Sequence, residues 1–197
     1  MDRSYPLRWP SHLLVLLEKH QHCVEDPVNA RVPPSNDKTC TVSDFFQDSY
    51  SDLVGQMASR GAAAEVCSSC ISLLYEMIEQ SSLLSLLSPK ERKHFQASQH
   101  FDKKSTILAK NKTSKRRRSE DLNTLNDYKF SRVLPVEYLL RFLFALPHVI
   151  EHYNRLSGSE IPSYADENLW VFTNLVLDML GTKPDLFAET EAYVPLR

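Results

Sequence analysis

Tyr138-Leu139-Leu140-Arg141-Phe142-Leu143-Phe144-Ala145-Leu146-Pro147 is the stretch on which the fold turns. It is short of a membrane span and rich in leucine, and it belongs to an apolar segment that the spacing predicts as a helix from Val136 to about Arg155, carrying Pro147 inside it. Working outward, Glu167 to Leu180 is a second such segment, preceded by Ser163 and Asp166 and closed by Gly181. Upstream, Val66, Cys70, Leu73, Leu74, Met77, Ile78 and Leu84 recur at helical spacing between Ala62 and about Leu87, which predicts a central core helix ending before Ser88-Pro89. Val42, Phe45, Phe46, Tyr50, Leu53, Val54 and Met57 repeat at three and four behind Ser43. Ser11 caps a helix running to about Val24 whose broad apolar face is Leu13, Leu14, Leu16, Leu17 and His20. Residues Lys90 to Phe101 add a short helix. Lys183 to Leu196, with Pro184 and Pro195 and the aromatics Phe187 and Tyr193, is expected as an extended tail packed on the rest.

The expected fold class is therefore all-α: a single helical bundle over the 197 residues, interrupted by a basic and disordered insert at 102–127. Only 4 glycines occur, none spaced to cradle a phosphate or to form a nucleophile elbow, and 42% hydrophobic with 24% charged residues is ordinary globular composition. The first residues lack a signal pattern, and no apolar run reaches membrane length, so a soluble intracellular protein with no membrane contact is expected. A net charge of −2 hides an asymmetry. Lys103 to Arg118 carries five lysines, three arginines and no acid, which leaves −10 on the remainder.

That basic strip, with Lys112, Lys115, Arg116, Arg117 and Arg118 at its centre, reads first as a nuclear import signal. Weak, non-specific contact with nucleic acid is the alternative. The strip lacks the interleaved aromatics that would stack on bases. Cys67-x-x-Cys70 could join His20, His22, Cys23 and Cys40 in a zinc site of suitable ligand types. The pair lies inside an apolar helix with no matching second pair, so buried structural thiols are expected, with no metal and no cofactor. The seven histidines form no His-Glu-x-x-His, no serine sits in Gly-x-Ser-x-Gly, and no catalytic residues are assigned.

The run Tyr138 to Pro147, in order with Lys183-Pro184-Asp185-Leu186-Phe187 and Tyr193-Val194, resembles the MRG domain, whose members carry a Leu-Leu-Arg-Leu-Phe run, a Leu-Pro and a similar closing segment. Tyr5-Pro6 with Leu14 to His20, and Glu65 to Phe95, are similar to the family's earlier helices, so the resemblance covers most of the chain. The charged insert is more like the male-specific-lethal-three branch than the mortality-factor branch. The family's chromodomain and leading tryptophan-bearing helix have no counterpart here, Val42 to Arg60 looks like an added helix, and the segment around Trp170 is about one turn short. The resemblance implies a non-enzymatic nuclear scaffold that ties protein subunits into histone-acetyltransferase or related chromatin-modifying complexes. It also implies a shallow hydrophobic groove for short Phe-x-Leu-Pro-like segments, for which Leu74, Tyr75, Ile78, Tyr138, Phe142 and Trp170 are the expected anchors.

Overall fold

The computed structural model describes residues 7–36, 38–97, 130–157 and 163–196. The insert at 102–127, with Lys112, Lys115, Arg116, Arg117 and Arg118, lies outside the described residues. The chain is all-α in character, with α1 at Ser11–Val24, α2 at Val42–Ala58, α3 at Ala64–Leu84, α4 over 89–97, α5 at Glu137–Ser157 and α6 at Ser163–Thr182. Two 3-10 turns, Pro184–Leu186 and Thr190–Ala192, follow α6. The closing segment is more structured than an extended tail, because β2 (Val194–Pro195) pairs antiparallel with β1 (Arg31–Val32).

The helix starts show which local signals prevail. Pro10, not Ser11, occupies the cap position of α1 and makes no side-chain cap bond. At α2 the cap is Thr41, whose hydroxyl accepts from the Asp44 N–H while the Asp44 carboxylate accepts from the Thr41 N–H, a reciprocal capping box. The same corner receives the chain returning at 130–136. The Val42 N–H donates to the Leu134 carbonyl at 3.0 Å, and the Val136 N–H donates to the Cys40 carbonyl at 3.0 Å. Thr41→Ala removes the box at this junction, and a loss of about 1 kcal/mol is expected in urea unfolding with the midpoint shifted and the slope unchanged.

α2 ends in a tight turn at Gly61, whose φ of 83° is left-handed, with the Gly61 N–H donating to the Ala58 carbonyl and the Ala62 N–H reaching back to that of Met57. Gly181 has a different task from the helix stop expected for it. It lies within α6, where a Cβ would come 3.2 Å from the Pro10 ring, so its smallness admits the start of α1.

α6 shares the centre of the bundle with α3, the helix expected there. Leu169, Trp170, Phe172, Leu175, Val176, Leu177, Met179 and Leu180 are all buried, because α1, α2, α3 and the first 3-10 turn pack around α6. Phe46 joins three helices there. It meets Tyr75 of α3 edge-on at 5.5 Å and stacks on Phe172 of α6 at 6.3 Å. A second node links α1, α4 and α5, where the Tyr138 ring lies between His20 at 4.9 Å and Phe95 at 5.2 Å. α3 keeps one edge open to solvent. Leu83 and Leu84 are 52% and 69% exposed.

Candidate docking groove

The spacing of α3 sets two faces side by side. Leu74, Tyr75 and Ile78 point inward and are closed from solvent, while Leu73, Glu76, Met77, Gln80, Ser81 and Leu84, at steps of three and four, form the adjoining face. α5 does the same. Tyr138 and Phe142 are fully buried, and Ala145, His148, Val149 and His152 make the stripe that fronts α3. Between these stripes lies an open groove of about 690 Å³. Met77 and Ser81, both nearly closed from solvent, are its floor; half-buried Leu73, Ala145 and Val149 are its walls; Glu76, Gln80, His148 and His152 stand exposed among them.

Of the six expected anchors, Leu74, Tyr75, Ile78, Tyr138 and Phe142 are therefore core residues and line no open groove. Their aromatic rings are spent on internal contacts, as the Phe46 and His20 nodes show. Trp170 is also buried, on α6, and borders a separate hollow of about 310 Å³ with Arg8, Arg60, Glu167, Asn174 and Asp178. The expected set is thus split between the core and another face. On α3 the groove belongs to neighbours one or two residues along, each rotated about 100° from the next, and on α5 to residues from Ala145 onward, three or more past Phe142.

Pro147 sits within the α5 part of the groove. Having no N–H, it cannot bond the Leu143 carbonyl one turn earlier, so the backbone bond is missing where the groove residues Ala145 and His148 flank it. Beyond the groove, Phe144 is 54% exposed and meets Trp9 edge-on at 5.9 Å, which extends the apolar surface around α5.

Among the described residues no three histidine, cysteine, aspartate or glutamate side chains converge on one point. Cys67 and Cys70 lie in the core side of α3, and burial pushes the Cys70 thiol up to about 12 and the Cys40 thiol up to about 11, so both hold their protons at neutral pH. His20 is buried with Nδ1 3.1 Å from the Tyr193 hydroxyl. None of the described helices is long and apolar enough to cross a membrane. Compared with known proteins, the chain matches no family model and no curated protein.

The groove had a signal in the sequence. Leu83 and Leu84 extend the leucine content of α3 past what one core-facing stripe can absorb, and His148 and His152 lie four apart on one face of α5.

Proposed function

We propose that this chain is a non-catalytic nuclear adaptor that holds short apolar segments of partner proteins, subunits of histone-acetyltransferase or related chromatin-modifying complexes, in the groove between α3 and α5. The observation that carries the docking part is the groove itself, an apolar floor ringed by polar side chains and open along its length. The partner segment seats an apolar anchor against Met77 and Val149 and meets Glu76, Gln80 and the two histidines at its edges. The chromatin setting rests on the MRG-like run Tyr138 to Pro147 and the closing Lys183 to Phe187 and Tyr193-Val194, and nuclear entry on the Lys115 to Arg118 cluster.

The test is capture from nuclear extract by the full chain and by Val149→Asp and Ala145→Arg, which place charge in the half-buried groove wall. Histone-acetyltransferase or related chromatin-complex subunits are expected with the unmodified chain, and a loss of at least tenfold in their recovery with either variant, at unchanged circular dichroism. Equal recovery by both variants overturns the groove. Recovery only of proteins unrelated to chromatin overturns the setting.

A second reading is supported by the strip Lys103 to Arg118, with its +8 charge: direct contact with nucleic acid phosphates. Binding to a random RNA or DNA would then fall steeply with salt and vanish when residues 103–118 are deleted. The adaptor reading expects that deletion to leave partner capture intact.

A further inference from the structure

Two of the hydrogen bonds that fasten the closing segment after α6 end on buried titratable side chains. The Ala188 N–H donates to Glu137 Oε1 at 2.7 Å, and the Tyr193 hydroxyl lies 3.1 Å from His20 Nδ1. The other ties are the β1–β2 pair, the Leu196 N–H to the Ala30 carbonyl at 2.8 Å, Lys183 Nζ to Ser49 Oγ at 3.2 Å, and half-buried Leu186, Phe187, Val194 and Leu196 packed against the core. Neither 3-10 turn of the segment contributes a buried residue, so Tyr193 is its one closed side chain among the described residues.

Both pins stand where a charge is poorly tolerated. Glu137 is 4% exposed and forms no ion pair among the described residues. The groups that face it are the Cys40 thiol from the segment before α2 and the Tyr193 phenol from the closing segment, neither of which offers a cation. Arg141, one turn along α5, is engaged by Glu91, and Lys183 donates to Ser49 Oγ. His20 is 2% exposed, with Tyr138 and the positive Arg141 facing it from α5 and Tyr193 from the closing segment, and its Nε2 has no partner among the described residues. A buried carboxylate without a cation and a buried imidazolium beside an arginine are both costly.

We propose that the segment from Lys183 to Leu196 is a releasable strap that lies most firmly on the bundle with Glu137 and His20 both neutral, so that at mildly acidic pH seating it takes a proton onto one pin and releases a proton from the other. Desolvation supports this at both ends: it raises the Glu137 carboxyl from an ordinary 4.5 to about 7, and with Arg141 it lowers the His20 imidazole from 6.5 to about 3. With the strap lifted, both groups return to water. Between pH 4.5 and 6.5 the lifted state then carries Glu137 ionised and His20 protonated. The seated state carries neither charge.

The signs follow from linkage. Glu137, raised in the seated state, stabilises seating fully below pH 4.5 and loses that contribution as pH rises to about 7. His20, lowered in the seated state, contributes fully above pH 6.5 and loses that as pH falls towards 3. In the shared window the two slopes cancel, each being about tenfold per pH unit. The strap is therefore held with constant strength across mildly acidic pH, and loosens outside it.

The experiment uses the full chain in two measurements. Carbon-13 and nitrogen-15 spectra at about pH 5.5 are expected to show a protonated Glu137 carboxyl and a neutral His20 ring. Amide protection factors at Ala188 and Leu196, with intrinsic exchange divided out, are expected to stay within about twofold from pH 4.5 to 6.5 in the unmodified chain. In Glu137→Gln, where only His20 titrates, they should rise by about tenfold per pH unit over the same range. An ionised Glu137 or a protonated His20 at that pH overturns the proposal, and so does a flat profile in Glu137→Gln. Should that variant not fold, the spectra of the unmodified chain decide alone.

Discussion

Glu91→Ala is expected to cost about 3 to 5 kcal/mol, enough to leave a domain of ordinary stability largely unfolded. Glu91 is wholly closed from solvent and holds three groups at once. Its Oε1 accepts from the Tyr138 hydroxyl at 2.8 Å and from Arg141 Nη1 at 2.9 Å, and its Oε2 accepts from the Ser88 N–H at 2.7 Å. The Glu91 N–H returns a bond to Ser88 Oγ at 3.3 Å, so the same residue completes the capping box of α4. Truncation strands a guanidinium whose side chain is only 16% exposed, leaves the buried Tyr138 hydroxyl without its acceptor, and takes from the Ser88 N–H its half of the capping box. Glu91→Gln separates charge from shape: it keeps an acceptor for Tyr138 while leaving Arg141 unneutralised, and an intermediate loss is expected. Urea unfolding followed by circular dichroism measures both. A loss under about 1 kcal/mol for Glu91→Ala would show that the network contributes little net energy.

Phe46→Ala is expected to cost about 3 to 5 kcal/mol through the cavity it leaves. Phe46 is 2% exposed at the point where α2, α3 and α6 meet, and its ring touches Phe45, Tyr75 and Phe172. Three helices are braced against one another there, so the walls have little freedom to collapse into the space, and the cost lies at the upper end of the range for aromatic truncation. Phe46→Leu retains most of the volume and is expected to lose less than half as much. The contrast between the two, read from thermal or urea midpoints, distinguishes a packed node from a loosely filled one.

Helix existence was legible in the sequence because the pattern that makes a helix amphipathic is local. Apolar residues at steps of three and four located α1, α2, α3, α5 and α6, and their positions agree with the described elements to within a few residues. Boundaries moved where a cap outweighed periodicity. Thr41 with Asp44 starts α2, and Ser88-Pro89-Lys90-Glu91 is a capping-box signature that separates α4 from α3. Both lie within four residues and are readable without a structure.

Surplus leucine pointed to an open edge on α3, but which residues line the groove was not readable, and the reason is geometric. α3 presents apolar residues over more than half its circumference, so its sequence contains both Leu74, Tyr75 and Ile78, which face the core, and Leu73, Met77 and Leu84, which face the groove. Periodicity fixes the angles between these residues but not the direction in which the helix is turned. That direction is set by the partners on either side, α2 and α6 behind and α5 beside it. The same holds for Glu91, Tyr138 and Arg141, which are 47 and 50 residues apart along the chain and meet only when α4 lies on α5. Local spacing determined which segments are helices; packing alone decided which of their faces remained open and which charges met, because burial is a property of neighbours distant in sequence.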